Sequence, residues 1–310
     1  MAESVSTRRA KALTLTGSTD AKSAPPATPP EMSPDERGAR EEVITTALAM
    51  SRSGLSPGRS GNVSRRFVDA AAGPGMLITP SGVPYDEIRP EGIVFVADDG
   101  RVPDGQLKPS SEWRFHLSAY HARPDRHAIV HTHSMHAVVI ACAGRPIPAF
   151  HYMVAIAGVA EIPCVPYATF GTDKLARHVA RGLKRADACL MANHGQIAIA
   201  TTLSGALDLA REVEILAEQY AKLLMLGRPV ILDRKEMRDV LTRFASYGQH
   251  AQTSATGKPA AKDKRKAKSE RRADAEAAPE TKSKSKSKSK SKSKSKSKSK
   301  SKSAKSRSNV

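Results

Sequence analysis

The chain has 310 residues, enough for one or two domains, and carries 50 Lys and Arg against 31 Asp and Glu, a formal net charge of +19. The excess is lopsided: residues 251–310 hold 21 basic and 5 acidic residues, whereas residues 1–250 hold 29 and 26 and are nearly balanced. The longest uninterrupted apolar stretch, residues 137–143, falls far short of the roughly 20 residues that cross a bilayer, and no apolar h-region opens the sequence, so a cytoplasmic protein is expected. Three cysteines, Cys142, Cys164 and Cys189, form no CxxC pair; they exclude a disulfide framework and suit buried thiols in a reducing compartment.

Residues 1–32 hold few large apolar side chains and end in Ala24-Pro25-Pro26-Ala27-Thr28-Pro29-Pro30. Such a composition cannot bury enough surface to offset the entropy of ordering, so a disordered segment is expected there. Ser33-Pro34-Asp35-Glu36 is a capping box with Pro at the first helical position, and Ala39, Val43, Ala47 and Met50 follow at helical spacing, predicting a helix to about Gly54. Short β-type runs at 62–68, 76–79 and 93–97, broken by Gly and Pro, predict an antiparallel patch, with 70–74 as a surface loop and Asp98-Asp99-Gly100 as a turn. The next helix opens at Ser110-Ser111-Glu112, carries Trp113, Leu117 and Tyr120 on one face, and must stop before Pro124.

A strand at 128–132 and a short apolar helix at 135–142 come next, then an irregular stretch punctuated by Pro146, Pro148, Pro163 and Pro166. Helix 172–183 and strands 188–192 and 196–200 follow. The longest helix begins after Ser204, with Ala206, Ala210, Val213, Ala217, Tyr220 and Leu224 on one stripe, and Gly227 with Pro229 ends it. Asp233 with Glu236 three residues on starts a last helix. From Ala251 the chain turns to Ala, Lys, Arg and Glu and then to eleven consecutive Lys-Ser units from Lys282 to Ser303. That run repels itself and is expected to be a disordered basic tail. Its charge suits sequence-blind, salt-sensitive contact with nucleic acid or another polyanion; no aromatic residue is interleaved for base stacking.

Three features carry chemistry. His131-Thr132-His133 belongs to the strand that starts at Ala128, and alternation points both imidazoles to one face, a geometry that suits a metal. With ten His in the chain the pattern alone is weak. Glu112 at a helix start is favoured there by exposed N–H groups and is equally explained as a cap. His194 sits between two short strands, where loop chemistry is often placed. Three imidazoles and one carboxylate are a fitting donor set for Zn²⁺. Separately, Gly61-Asn62, Thr79-Pro80-Ser81-Gly82 and Ser110-Ser111 offer neutral donors and a helix N-terminus for a phosphate; each alone is also ordinary turn or cap chemistry, and spacing does not say that they converge.

The strings Pro109-Ser110-Ser111-Glu112-Trp113-Arg114-Phe115-His116, His131-Thr132-His133, His151-Tyr152-Met153, Pro166-Tyr167-Ala168-Thr169-Phe170-Gly171-Thr172 and Asn193-His194-Gly195, in this order, closely resemble the class II aldolase and adducin head family. The likeness spans about residues 35–248 and leaves out both termini. It implies an α/β (α+β) fold, a single domain over 33–250 with a central, mainly antiparallel sheet flanked by helices. It also implies a zinc-dependent retro-aldol cleavage of a ketose 1-phosphate to dihydroxyacetone phosphate and a short aldehyde. Carried over by position, Glu112, His131, His133 and His194 would hold one Zn²⁺ per subunit, and Asn62, Ser81, Gly82, Ser110 and Ser111 the phosphate. Glu112 would be the base, Tyr152 the proton donor contributed across a subunit interface of a homotetramer, and Tyr247 a second tyrosine.

Asn193 stands where aldolases of the family often carry another His, and His136 is expected to be a helix residue rather than a ligand. Three other activities are consistent with the likeness. Epimerases of pentulose 5-phosphates tend to carry Asp where Glu112 sits, so Glu112 with Trp113 favours an aldolase. A dehydratase of methylthioribulose 1-phosphate shares the metal and phosphate sites. An adducin-like head without a metal would serve interactions only, and here all four ligands are present.

Overall fold

The computed structural model describes residues 32–57 and 59–245. The segment expected to be disordered up to residue 31, the basic tail and Tyr247 lie outside the described residues.

Local chemistry starts the helices as the sequence predicts. Ser33 Oγ accepts the Glu36 N–H at 3.2 Å to begin α1 (Pro34–Arg52), and Gly54, at φ 75°, follows its end. Helices α2 (Trp113–Ala122), α3 (Met135–Cys142) and α4 (Asp173–Leu183) succeed one another along the chain. The long α5 (Leu203–Leu226) is capped by Thr202, two residues before the expected start, because the Thr202 hydroxyl accepts the Gly205 N–H. Asp233 Oδ1 accepts the N–H groups of Lys235 and Glu236 to open α6 (Arg234–Ala245).

Seven strands form one sheet: β1 (Asn62–Asp69), β2 (Gly73–Ile78), β3 (Val94–Ala97), β4 (Ala128–Thr132), β5 (Cys164–Val165), β6 (Ala188–Met191) and β7 (Gly195–Ala200). Their order is β3-β2-β1-β4-β7-β6-β5, antiparallel throughout except for the edge pair β5–β6. The mixed fold with a central, mainly antiparallel sheet and flanking helices is therefore as expected. The sequence expectation fails in two places. Strand β5 forms inside the stretch expected to be irregular, where Cys164 and Val165 pair with Leu190 and Met191. Only 70–72 connect β1 to β2, because Asp69 Oδ1 accepts the Ala71 and Ala72 N–H groups and closes a hairpin, which draws Gly73 and Pro74 into the strand.

Alternation along the strands builds two cores. Val63, Leu77, Phe95, Val130 and Leu190 face α1, α3 and α5 on one side; Met76, Ile78, Val96, Ile129 and Ile197 face α2 and α4 on the other. Fully burying a Val, Ile or Leu side chain contributes about 1.5–3 kcal/mol, so a one-residue slip of any central strand would lose both layers at once. The polar residues Asn62, Ser64 and His131 occupy alternating positions on the α2 side, and this parity sets up the site. The cysteines follow expectation only in part: Cys189 is buried and Cys164 half-buried, but Cys142 is exposed, since it lies on the outward face of α3 with Met135 and Val139.

Candidate functional site

Glu112 occupies the N-cap position of α2, yet its side chain caps nothing. It is 7% exposed and turns inward, with Oε1 2.9 Å from His194 Nε2 and Oε2 3.2 Å from His131 Nε2. Oε2 also accepts a hydrogen bond from Asn62 Nδ2 at 2.9 Å. Burial alone would raise the Glu112 carboxyl, but the neighbouring His131 and His194 rings outweigh it and hold the group well below the usual carboxylate range. The capping explanation for Glu112 is thus set aside in favour of a buried, ionised carboxylate.

Each histidine is aimed by backbone. His131 lies in β4, one position from the strand end, and its Nδ1–H donates to the Gln196 carbonyl at 2.7 Å across the β4–β7 pairing, which leaves Nε2 as the free lone pair. His133 lies just past the strand, with Nε2 3.0 Å from His131 Nε2. Burial, and then the nearness of His131 and His194, push the His133 imidazole down to about 3. His194 sits in the β6–β7 turn, which Asn193 makes by taking φ 55°, a left-handed conformation that Asn tolerates better than most residues. Gly195 completes the turn: any Cβ there would run into the Thr132 carbonyl and the His133 ring.

The four donor atoms of Glu112, His131, His133 and His194 lie within 4.8 Å of one another. Three imidazole nitrogens and one carboxylate around one point suit a divalent transition metal, and the His131 tautomer set by Gln196 presents a lone pair to it.

The phosphate candidates also converge. The 79–82 and 108–111 loops are zipped together by Ser110 N–H to the Thr79 carbonyl, 3.0 Å, and Ser81 N–H to the Lys108 carbonyl, 2.9 Å. Asn62, Ser81, Gly82, Ser110 and Ser111 consequently line one pocket with Glu112, His133 and His194. The same pocket is lined by residues to which the sequence attaches no role, among them Arg59, whose guanidinium donates to the Gly82 carbonyl at 2.8 Å, and the exposed rings of Tyr167 and Phe170. The signal for Arg59 is its position two residues before Gly61-Asn62, whereas Tyr167 and Phe170 in the 166–172 segment carry no local chemical signal of a pocket role.

Tyr152 opens a short 3-10 turn, is 50% exposed, and stacks obliquely on His151 rather than lining this pocket. His136 is no part of the cluster and pairs with Glu214 of α5 at 2.9 Å, as expected for a helix residue. Among the described residues no helix is long and apolar enough to cross a membrane.

Residues 41–221 match the class II aldolase and adducin N-terminal domain family. The chain is 48% identical over 215 residues to the L-fuculose phosphate aldolase of Haemophilus influenzae, covering 69% of this chain and 97% of that protein. It is 49% identical over 213 residues to the 5-methylthioribulose-1-phosphate/5-deoxyribulose-1-phosphate aldolase of Rhodospirillum rubrum, covering 69% of this chain and 94% of the relative. A solved L-fuculose 1-phosphate aldolase superposes with a TM-score of 0.64 at 37% identity, over 69% of this chain and 97% of its own. With its family matched over more than half of its length, relatives near half identical, and a buried Glu-His₃ cluster beside a pocket of neutral donors, this chain belongs to the class II aldolase and adducin N-terminal domain family.

Proposed function

We propose that this class II aldolase reversibly cleaves a ketose 1-phosphate of the L-fuculose 1-phosphate kind to dihydroxyacetone phosphate and a short aldehyde such as L-lactaldehyde. The observation that carries the reading is the placement of Glu112. It is buried and ionised, shared between the His cluster and Asn62, and lies at the inner end of a pocket lined by the phosphate donors. Glu112, His131, His133 and His194 would hold one Zn²⁺. When bound, that ion supplies a Lewis acid for the negative charge that rupture of the C3–C4 bond leaves on the phosphate-bearing half.

The chain's own groups divide the remaining work. Asn62, Ser81, Gly82, Ser110 and Ser111 hold the phosphate through neutral donors, and Arg59 adds the one Lys or Arg charge among the described lining residues. Glu112 carries a proton: in the synthetic direction it removes one from the hydroxymethyl carbon of dihydroxyacetone phosphate, and in cleavage it returns one there. Tyr152 takes the proton of the C4 hydroxyl during cleavage and gives it to the aldehyde oxygen during addition. Its exposed position, away from its own chain's pocket, supports its delivery to a neighbouring subunit of a closed tetrameric ring.

A second substrate of the same class has support of its own. The Rhodospirillum rubrum relative, named for 5-methylthioribulose 1-phosphate, is as similar as the fuculose phosphate aldolases, and the two substrates share a phosphate end and differ at the aldehyde end, where pocket discrimination is modest. Residues 251–310 are proposed as a sequence-blind polyanion contact, whose salt-sensitive binding would vanish on their deletion.

The test is release of dihydroxyacetone phosphate from L-fuculose 1-phosphate and from 5-methylthioribulose 1-phosphate, before and after chelation and zinc readdition. Zinc-dependent release is expected, and the ratio of kcat/KM values names the substrate. Metal-loaded protein that releases none from either sinks the reading and turns attention to a dehydratase or an interaction role.

A further inference from the structure

Behind Asn62 lies a run of buried polar groups that the chemistry above does not use. Asn62 and Ser64 alternate onto one face of β1, and Glu112, His116 and Tyr120 recur every four residues along the facing side of α2. They interlock. Asn62 Nδ2 donates to Glu112 Oε2 and to Ser110 Oγ, each at 2.9 Å, so Asn62 Oδ1 is the acceptor for His116 Nε2–H. With its proton on Nε2, His116 accepts at Nδ1 from the Ser64 hydroxyl at 2.7 Å; that commits the Ser64 proton, so Ser64 Oγ accepts from the Tyr120 hydroxyl at 2.9 Å, which is nearer to it than to the His127 carbonyl at 3.4 Å. All four residues are at most 2% exposed.

We propose that His116, backed by Ser64 and Tyr120, is a positioning residue that locks the Asn62 amide in the one orientation in which both of its N–H groups serve Glu112 and Ser110. The proposal rests on the reading of Glu112 and Ser110 as functional groups.

The physics is that of an amide flip. An Asn side chain presents nearly the same shape when its oxygen and nitrogen exchange places, so shape alone cannot choose. Turned over, Asn62 would set its carbonyl oxygen against an ionised carboxylate and its NH₂ against the His116 N–H. A donor at His116 Nε2 makes that state doubly repulsive, because neither face would then be satisfied in a dry interior. The donor directions also run one way, from Tyr120 through Ser64 and His116 to Asn62, so each residue fixes the role of the next. Burial, followed by the nearness of His131, pushes the His116 imidazole down to about 3, in keeping with a neutral ring that has one N–H and one lone pair. Stacking on Phe115, ring centroids 4.9 Å apart, fixes the plane of that ring. Through Asn62 the lock, built on β1 and α2, reaches the Glu112 carboxylate and the Ser110 hydroxyl at once.

The experiment compares His116→Leu, which removes the donor, with His116→Gln, which can both donate and accept, in metal-loaded full-length protein, alone and with Asn62→Ala. Expected are a loss of about 10- to 100-fold in kcat/KM for His116→Leu, recovery to within about threefold in His116→Gln, and almost no further loss when His116→Leu is added to Asn62→Ala. Equal losses in the Leu and Gln variants, or an undiminished loss in the Asn62→Ala background, would overturn the lock and leave His116 a core residue. A second readout needs no turnover: nitrogen NMR of His116 should show a protonated Nε2 and a bare Nδ1. A protonated Nδ1 overturns the proposal, whereas the expected tautomer in a protein that cleaves no ketose phosphate upholds the lock and faults only the assigned activity.

Discussion

His131 and His133 hold their Nε2 atoms 3.0 Å apart, although His131 has already committed its Nδ1 proton to the Gln196 carbonyl. Two lone pairs at that distance repel unless a cation or a retained proton lies between them, so the fold at this point is built around positive charge. Ionised Glu112, within 3.2 Å of both His131 and His194, completes the same demand.

It follows that metal removal should cost stability as well as activity. A ligand present at 100 times its Kd stabilises the native state by about 2.7 kcal/mol, so chelation should lower Tm by several degrees, and zinc should restore it in proportion to its concentration. Calorimetry with and without chelator checks this; a Tm indifferent to both, in protein that retains no metal, would count against a metal at this cluster.

Glu112→Gln keeps the shape and removes the charge. Loss of a positioned general base typically costs about 10²- to 10⁴-fold, and a neutral amide is also a poorer ligand, so both kcat and metal content should fall. Turnover measured after zinc saturation separates the two effects, and a kcat within tenfold of the parent would show that another group moves the proton.

Arg59→Ala should raise KM for the ketose 1-phosphate with little change in kcat, because Arg59 lines the pocket with Ser81, Gly82 and Ser110, the proposed phosphate donors. A hydrogen bond to a charged group contributes about 1.5–3 kcal/mol, which sets a rise of at least about tenfold, and Arg59→Lys should recover part of it. If KM stays put, the guanidinium serves only to hold the Gly82 carbonyl.

His116 links stability to pH. Its folded pKa of about 3 lies below the unfolded value of about 6.5, so above that value neither state holds the proton and nothing changes. Between the two the unfolded chain binds a proton that the folded chain refuses, and stability falls as pH drops, by up to about 1.4 kcal/mol per pH unit. Urea unfolding from pH 7.5 to 4.5 should give a steeper slope for the parent than for His116→Gln, which has nothing to titrate at that position; equal slopes would rule the effect out.

Tyr152→Phe and Glu112→Gln should each be nearly inactive alone, yet mixed tetramers should regain a fraction of the activity. A site that joins an intact Glu112 from one subunit to an intact Tyr152 from its neighbour is restored in the hybrid. Unfolding, mixing and refolding the two variants before assay tests the interface; no recovery despite hybrid formation would place Tyr152 in its own subunit's site and not its neighbour's.

Much of the local architecture could be read directly. Caps at Ser33 and Asp233 and the stripe from Ala206 to Leu224 mark helices, because those signals depend on contacts within four residues along the chain. The parity that puts His131 beside its partner His133 is likewise local. The hairpin at 70–72 was missed because one Asp69 side chain, not composition, decides it, and the exposure of Cys142 because a short apolar helix does not announce which of its faces is covered.

By itself, the sequence determined where most of the helices and strands run, which residue types were available for a metal and a phosphate, and, through several motifs in register, the family. The tertiary structure alone decided that Glu112, His131, His133 and His194 meet within 4.8 Å, that Arg59 lines one pocket with Asn62, Ser81 and Ser110, and that His116 addresses Asn62. The reason is physical. The β1-β4-β7 order places residues 62, 131 and 194–197 side by side, and α2 packs on the face that their parity leaves polar. Contacts between residues 50 or more apart arise from the packing of whole layers, which no local pattern encodes.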